Sequence, residues 1–379
     1  MDSIPQKYVG IDIHKKFSQV AVMDGYGEVS HQQRLWHDDV EEIRTFFKGL
    51  GEDVSAAIEP TCGWTWMVDE LEALGIEMHL AHPPAVALIA KSHVKTDKVD
   101  ARALANLLRL RALPEAYIAP AEVRQERMLL RFREGVKKIR IMTKCRIHAL
   151  LLRHNLTGPD VSDLFGQAGR KYINEVELPD NVRFIVDNQM SLLGYLEVIM
   201  RRIEGRINAS VKEDPRAELL QSIPGVGKLT AYLLLAEIGD IDRFRSPGAF
   251  VSYCGLCPSV DHSADHLRYG HIYGGRRCLK WALVESAQVA ARHDPRLKRI
   301  YEAKRSHKGA GMATVVIAHK LAKIVYRVLK EQAPYYCVRQ RRDLVLRAQP
   351  GKRNVRTYKR RANRKMSPAG PRTTMRASM

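Results

Sequence analysis

The segment Lys7-Tyr-Val-Gly-Ile-Asp-Ile-His14 stands near the start of a chain of 379 residues. Its apolar and aromatic residues predict a buried β-strand over residues 7–13, and Asp12 interrupts that strand. A carboxylate in a buried strand costs several kcal/mol unless a partner neutralises it. Two interpretations of Asp12 are therefore open: a strand-end residue that caps a turn, or a ligand of a bound cation.

The residues that follow predict two more strands joined by short turns, and then alternating helices and strands. In chain order we expect strands at 7–13, 18–24 and 28–35, a helix at 39–50, a strand at 55–58, a helix at 64–74 and a strand at 77–81. This is the element order of the ribonuclease-H-like fold. We therefore predict an α/β domain of that type over residues 1–115.

Three further acids are candidates to join Asp12. Glu59 falls at the carboxyl end of the fourth strand, and Asp97 and Asp100 share one face of a helix that runs to about Arg111. Helix capping explains Asp97 and Asp100 singly but not the four acids together. Two carboxylates about 4 Å apart repel by roughly 4 kcal/mol at an effective dielectric constant of about 20. Four converging carboxylates therefore favour a bound Mg²⁺ or Mn²⁺.

Three segments together carry a family resemblance: Tyr8 to Asp12, Ala57 to Thr61 and Lys95 to Arg102. They resemble the DEDD transposases of a large bacterial insertion-sequence family, whose N-terminal domain is RuvC-like and whose members are bridge-RNA-guided recombinases. The resemblance implies that four acids bind Mg²⁺, with Mn²⁺ as an alternative, near the scissile phosphate. These acids are Asp12, Glu59, Asp97 and Asp100.

Residues 116–213 are predicted to be mainly helical. A basic, Leu- and Ile-rich helix covers about 122–156, and a second long helix covers 181–213. Two long amphipathic helices joined by a loop suggest a projecting hairpin or coiled coil, with an apolar seam for self-association and a Lys/Arg face for nucleic acid. An ordinary three-helix packing layer is the alternative. The resemblance favours a dimerising arm, because the family carries a coiled coil at this place.

Residues 214–345 are predicted to form a C-terminal, mainly α-helical domain, with helices over about 277–292 and 311–332. The segment Leu219–Ala231 predicts a helix, a glycine turn and a second helix, which resembles a helix-hairpin-helix. Backbone N–H groups at such a turn can hold a DNA phosphate, and Lys228 favours that interpretation over a simple tight turn.

The segments Phe250 to Ala264 and Gly270 to Arg277 resemble the C-terminal transposase domain of the same family. The resemblance implies a serine nucleophile in a Pro-containing loop and a covalent serine–DNA intermediate. Ser263 matches by position, with Ala264 where glycine is usual, and Ser259 is the fallback. On residue type alone a serine in a polar loop is usually a turn residue. We also expect Arg276 and Arg277 to contact nucleic acid.

The six cysteines are scattered, which favours reduced thiols over a disulfide framework. Cys254 and Cys257 have the spacing of a zinc knuckle, and His271 and Cys278 follow. Because the second half lacks a regular paired spacing, we expect packing cysteines rather than zinc ligands.

The formal net charge of +20 indicates a polyanionic partner, and nucleic acid fits better than an anionic membrane. Residues 344–379 contain eleven Lys or Arg and no Asp or Glu. We expect a disordered basic tail over 346–379 that contacts phosphates through Lys352, Arg353, Lys359, Arg360 and Arg361. No run of about eighteen apolar residues and no signal-peptide core occurs, so we expect a cytoplasmic, nucleoid-associated protein without membrane contact.

These features predict a DNA recombinase that excises and inserts its own mobile element. The resemblance implies three kinds of partner: donor and target DNA, a structured guide RNA, and further copies of the chain in a dimer or tetramer. One alternative is a metal-dependent, junction-resolving nuclease that uses water and leaves Ser263 structural. Another is a non-catalytic nucleic-acid-binding protein, which the charge alone allows.

Overall fold

The computed structural model describes residues 7–61, 63–89, 96–263, 266–272, 274–337 and 339–340, without the side chains of 260–269. The chain divides into two compact units. We call residues 1–124 unit 1 and residues 125–379 unit 2. The finer division into four parts at 115, 213 and 345 stays a prediction.

Unit 1 is built on a six-stranded sheet with the strand order β3-β2-β1-β4-β5-β6. The strands are β1 (Lys7–Ile13), β2 (Phe17–Asp24), β3 (Val29–Trp36), β4 (Val54–Ile58), β5 (Glu77–Ala81) and β6 (Glu115–Ala116). The central strand β1 pairs antiparallel with β2 and parallel with β4. This order fits a ribonuclease-H-like sheet, so the α/β class predicted for the N-terminal domain is confirmed.

Four helices cover the two faces of this sheet: α1 (Val40–Gly49), α2 (Trp64–Glu72), α3 (Pro83–Ile89) and α4 (Asp97–Arg109). Ile11 and Ile58 point into a core that they share with α1 and α2. Ala57 points to the opposite face, into a core that it shares with Leu104 and Leu108 of α4. The alternation of side chains along β1 therefore decides which residues meet α4.

Helix α4 lies directly on β1 at Gly10. A Cβ atom on Gly10 would lie 1.9 Å from the carbonyl oxygen of Ala101 and 2.6 Å from the backbone nitrogen of Ala105. Real Cβ atoms do not approach backbone this closely, so only glycine permits the contact. The glycine thus sets the distance between β1 and the start of the helix that carries Asp97 and Asp100.

Unit 2 is mainly α-helical, as predicted. Its helices are α5 (Ala121–Arg153, which begins at the end of unit 1), α6 (Gln167–Glu175), α7 (Asp180–Glu213), α8 (Pro215–Gln221), α9 (Lys228–Ile238), α10 (Pro247–Tyr253), α11 (Arg277–His293) and α12 (Pro295–Glu331). Within the described part of unit 2, the strands β7 (Val260–Ser263) and β8 (His266–Tyr269) form an antiparallel hairpin. Among the described residues, no helix combines the length and the apolarity that crossing a membrane needs.

The long helices α5 and α7 share a buried core, and the projecting hairpin or coiled coil expected from them stays a prediction. Ile147 of α5 and Val186 of α7 share a buried core with Ile173 of α6. Arg133 Nη2 lies 2.9 Å from Glu204 Oε1 and joins the two helices further along. Helix α6 was not expected, because the glycines around it predict a loop.

Helix α12 corrects the prediction for the end of the domain. We expected a helix from about residue 311, but the helix begins at Pro295 and breaks only at Gly309, where φ is 78° and ψ is 168°. Asp294 caps its start by accepting hydrogen bonds from the backbone nitrogens of Arg296 and Leu297. An Asp-Pro pair is a helix-start signal, because proline suits the first helical position.

Candidate metal centre and nucleic-acid interface

The register of the sheet brings Asp12 and Glu59 to neighbouring strand ends. Ile11 of β1 pairs with Ile58 of β4, and Asp12 and Glu59 are the next residues along. Asp12 lies two residues after Gly10, so it lies on the face that α4 covers. Thr61 Oγ1 donates a 2.9 Å hydrogen bond to the carbonyl oxygen of Ile13, which joins the two strand ends.

Asp12, His14 and Asp97 form the tightest group of possible metal ligands among the described residues. His14 Nε2 lies 3.2 Å from Asp12 Oδ2 and 3.3 Å from Asp97 Oδ2. One donor atom from each residue lies within 4.8 Å of the other two. We call these three residues the acidic cluster. Arg34 Nη2 lies 3.9 Å from Asp97 Oδ2 at its edge.

The first turn of α4 supplies Asp97 to this cluster. The N-cap is Thr96, whose Oγ1 accepts a 3.3 Å hydrogen bond from the backbone nitrogen of Val99. Asp97 is the first helical residue, so its carboxylate is not the cap and can face His14. Asp100 follows in the same turn. The capping interpretation of Asp97 is therefore wrong.

The surroundings of Asp12 act on its pKa in both directions. Burial raises the pKa of Asp12, His14 lowers it, and Asp97 and Asp100 raise it further, with a net rise. Mutual repulsion of this kind shows that Asp97 and Asp100 both lie within electrostatic reach of Asp12. A divalent cation would offset the repulsion, so two carboxylates and an imidazole at these distances fit such an ion.

Of the four predicted acids, the structure brings Asp12 and Asp97 into the cluster, and Asp100 acts on the pKa of Asp12. Glu59 follows the neighbouring strand end. His14 is the residue that sequence reasoning missed. It stands two positions after Asp12, and a strand turns such a pair to one side. The two-residue spacing of Asp12 and His14 was therefore the sequence signal that could have identified His14.

The β7–β8 hairpin carries Ser263 at the end of β7. Its ladder runs from the pair Val260 and Tyr269 to the pair Ser263 and His266. Below it, the backbone nitrogen of Ser259 donates to the carbonyl oxygen of His271 at 3.0 Å. Ser259 thus belongs to the base of the hairpin and Ser263 to its far end. The Ser263 side chain lies outside the described atoms, so its role as the nucleophile stays a prediction.

Three glycines fix the base of the hairpin against the start of α11. Gly255, Gly274 and Gly275 all have positive φ. A Cβ on Gly255 would lie 2.6 Å from the carbonyl oxygen of Gly274, and one on Gly275 would lie 2.3 Å from the Cα of Gly255. Backbone therefore packs directly on backbone here, and the two ends of the hairpin segment are held together.

The cysteines near this hairpin lie in apolar surroundings. Burial raises the pKa of the Cys254 thiol, and burial together with Glu237 raises the pKa of the Cys278 thiol to about 11. Both thiols are therefore protonated at neutral pH. Cys254 is buried in the apolar core of unit 2, and Cys257 and Cys278 pack against that core, which favours the packing interpretation.

The predicted nucleic-acid contacts differ in their surroundings. Lys228 is exposed at the first residue of α9, after the exposed Gly227. Arg277 is exposed at the start of α11. Arg276 instead donates to Tyr253 Oη at 3.0 Å and lies 3.6 Å from Glu237 Oε2, so it also has a structural role. The tail residues Lys352, Arg353, Lys359, Arg360 and Arg361 lie outside the described residues.

The sheet order of unit 1 and the acidic cluster at the end of its central strand define a class: ribonuclease-H-like proteins with a site suited to divalent cations. Comparison with protein families narrows this class. Residues 9–156 match the model of DEDD transposases of the IS110 type, and residues 217–302 match the model described as Transposase IS116/IS110/IS902 family. The chain belongs to this family of transposases.

Curated relatives agree with this assignment. The chain is 25% identical to the transposase for insertion sequence element IS1111A of Coxiella burnetii over 87% of this chain and 92% of that protein. It is 25% identical to a probable family 20 transposase of Pseudomonas aeruginosa over 86% of this chain and 98% of that protein. A pilin gene-inverting protein of Moraxella bovis is 31% identical over 34% of this chain and 41% of its own length. The prediction of an enzyme of the transposase and recombinase class is confirmed, and DEDD-type transposases generally use divalent metal ions.

Proposed function

We propose that the protein is a DNA recombinase that excises and inserts a bacterial mobile element. The observation that carries this proposal is the acidic cluster in a chain of which two separate segments match the same transposase family. Relatives named as transposases and as a gene-inverting protein support a reaction that cuts and rejoins DNA strands. Transposition and inversion both need such a reaction.

In this proposal Asp12, Glu59, Asp97 and Asp100 hold Mg²⁺, with Mn²⁺ as the alternative. Divalent cations in such a site stabilise the charge on the attacking and leaving oxygens of a phosphoryl displacement. The fold of the chain contributes by holding the four carboxylates in position. β1 and β4 fix Asp12 and Glu59, and Thr96 caps α4 so that Asp97 faces the same place.

Ser263 is the proposed nucleophile. Its Oγ attacks the phosphorus of the scissile phosphodiester, loses its proton to a base or to solvent, and forms a serine–phosphate ester while the sugar oxygen leaves as a hydroxyl. Attack of another DNA hydroxyl on this ester rejoins the strand and restores the serine. The ester conserves the energy of the broken bond, so rejoining needs no further cofactor.

We further propose that a structured RNA chooses the DNA sites and that the active form is a dimer or tetramer. The net charge of +20 suits polyanionic partners, and RNA is a polyanion as DNA is. Four exposed apolar side chains of α5 support self-association, because they recur at steps of four, seven and three residues, which is coiled-coil spacing. They are Met128, Phe132, Ile139 and Met142.

The test incubates the full-length protein with the element's RNA, Mg²⁺ and end-labelled donor and target DNA. We expect joined products and a protein–DNA adduct that survives denaturation. Asp12→Asn should lower the rate at least 10³-fold, which is the order expected for losing a ligand that stabilises the transition state. Glu72→Gln, an exposed acid of α2, is the matched control.

Two further variants separate the alternatives. Ser263→Ala should abolish the adduct and joining, whereas Ser259→Ala should preserve both. If Ser263→Ala still cleaves DNA without an adduct, the protein is a nuclease that uses water. If Asp12→Asn keeps full activity, the proposed metal site is wrong.

A further inference from the structure

Unit 2 contains a cavity of about 200 Å³ between the two segments of α12 and the residues that follow them. Five of the side chains that line it are Arg or Lys, and none is Asp or Glu. The five cations are Arg296, Lys320, Lys323, Arg327 and Arg339. The proposed chemistry of Asp12 and Ser263 uses none of them.

The break in α12 at Gly309 explains how these cations meet. Arg296 precedes the break, and Lys323 and Arg327 follow it by more than three turns. Because residues of both segments line one cavity, the segments lie side by side there. Leu297 and Leu321, one from each segment, are buried in the same core. The cations are therefore held in place by two packed helix segments.

Asp294 lies next to the cavity, and its carboxylate already accepts several hydrogen bonds. It accepts hydrogen bonds from two backbone nitrogens at the start of α12, and from Tyr335 Oη at 2.7 Å. Arg339 Nη1 lies 3.2 Å from its Oδ2. Asp294 is 3% exposed, so it fixes the wall of the cavity and offsets one of the five cations.

A concave surface with one sign of charge concentrates the electrostatic potential and attracts a counter-charge. Part of the lining is apolar, from Leu297, Ile300 and Ile324, and an apolar wall strengthens the attraction by excluding water. Guanidinium groups match the oxygens of a phosphate in geometry. The strongly basic segment 344–379 begins a few residues after Arg339 in the sequence.

We propose that this cavity binds a phosphodiester group of a nucleic-acid strand and so anchors that strand to unit 2. The proposal rests on the proposed function only in that the protein acts on nucleic acid. It adds a binding site that is separate from the acids and the serine of the reaction.

The test compares two double variants of the full-length protein. Lys323→Gln with Arg327→Gln removes two cations of the cavity. Lys298→Gln with Arg299→Gln removes two exposed cations of the same helix that do not line it. Binding of a fluorescent DNA duplex and of a fluorescent RNA hairpin, both of arbitrary sequence, is measured by anisotropy at several salt concentrations.

We expect the cavity variant to bind about tenfold more weakly, because charge-assisted hydrogen bonds are removed. Its salt dependence, as the slope of log K against log salt, should weaken by about 0.9 for each duplex phosphate that the variant no longer binds. The control variant should change affinity less than about twofold. If only the DNA duplex binds more weakly, the site is assigned to DNA. If only the RNA hairpin binds more weakly, the site is assigned to RNA. If both bind more weakly, the site accepts either nucleic acid.

Equal losses in the two variants would mean a diffuse attraction, and no loss in the cavity variant would mean an unused cavity; both results overturn the proposal. Thermal melting checks that each variant folds. If the first variant unfolds, Lys320→Gln with Lys323→Gln repeats the test with Arg327 in place. The cavity proposal is tested by binding and the recombinase proposal by strand joining with Asp12→Asn, so the failure of one and the failure of the other give different results.

Discussion

Thr61 donates a 2.9 Å hydrogen bond from its Oγ1 to the carbonyl oxygen of Ile13. The bond joins the segment that carries Glu59 to the strand that carries Asp12, at the point where both leave the ladder of β1 and β4. The relative position of these two acids therefore depends on a side chain that carries no charge.

Thr61→Val tests this dependence. The change keeps the shape of the side chain and removes one hydrogen bond, so the free energy of unfolding should fall by about 1 kcal/mol. Mn²⁺ affinity, measured by titration calorimetry, should fall as well, because Glu59 is less well positioned. Thr314→Val removes a comparable bond, to the carbonyl oxygen of Ala310, and should leave Mn²⁺ affinity unchanged.

His14→Ala tests the place of the imidazole in the acidic cluster. We expect Mn²⁺ affinity to fall about tenfold or more, because His14 Nε2 lies beside both carboxylates. Mg²⁺ affinity should fall less, since Mg²⁺ prefers oxygen ligands. Titration with each metal checks this, with His31→Ala, an exposed histidine of β3, as the control. Equal affinities before and after the change would place His14 outside the site.

Gly10→Ala tests the seating of α4 on β1. The added methyl group would collide with the backbone at Ala101 and Ala105, so unfolding free energy should fall by about 3 kcal/mol. Gly135→Ala is the matched control, because a Cβ there meets nothing within 4 Å. Alanine in a helix should stabilise α5 by up to about 1 kcal/mol. Chemical denaturation of both variants gives the comparison, and a stable Gly10→Ala protein would contradict the packing.

Arg127→Met tests a buried charge at the carboxyl end of α9. Arg127 Nε donates to the carbonyl oxygen of Ala236 at 2.7 Å and Nη2 to that of Glu237 at 3.1 Å. Burial lowers the pKa of Arg127, although Glu237 partly offsets this. Removal takes a buried donor from the two carbonyls and a nearby cation from the Glu237 carboxylate, so we expect a loss of about 3 kcal/mol in denaturation experiments. Arg146→Met, at an exposed position of α5, should change stability by less than about 0.5 kcal/mol.

Asp294→Asn tests how stability depends on pH. Burial alone would raise the pKa of Asp294, but hydrogen bonds from Tyr335 and from the backbone of Leu297 and Arg296 outweigh it and lower the pKa below 3.8. A depressed carboxyl pKa adds stability above the unfolded pKa, and this stability is lost as the pH falls through the folded pKa. The unchanged protein should therefore be much more stable than the variant at pH 7, and the difference should shrink below about pH 4. Denaturant unfolding at a series of pH values checks this, and a constant difference would mean that charge is not involved.

Much of unit 1 could be predicted from local pattern. The strands at Lys7–Ile13 and Phe17–Asp24 match their predicted positions closely, because alternating apolar residues between short turns leave few other solutions. Asp12 was recognised because a carboxylate in such a strand is costly. His14 was missed because its meeting with Asp97 depends on where α4 begins, and Thr96 decides that through its own side chain.

Other elements show where local pattern fails. Helix α3 of unit 1 and the first segment of α12 begin at Pro83 and Pro295, and neither helix was predicted, although proline suits the first helical position. The strands of the β7–β8 hairpin are four residues each and mostly polar, so they gave only a weak signal. Arg276 was expected on nucleic acid, yet its hydrogen bond to Tyr253 spans two helices and could come only from the folded chain.

The seating of α4 on Gly10 makes the acidic cluster one of the last parts of unit 1 to form during synthesis. β1 leaves the ribosome first, and α4 leaves after every other strand and helix that packs around Asp12. A chain interrupted before Asp97 carries Asp12 and His14 but cannot assemble the cluster. Translation therefore brings the three side chains of the acidic cluster together only with a nearly complete first unit.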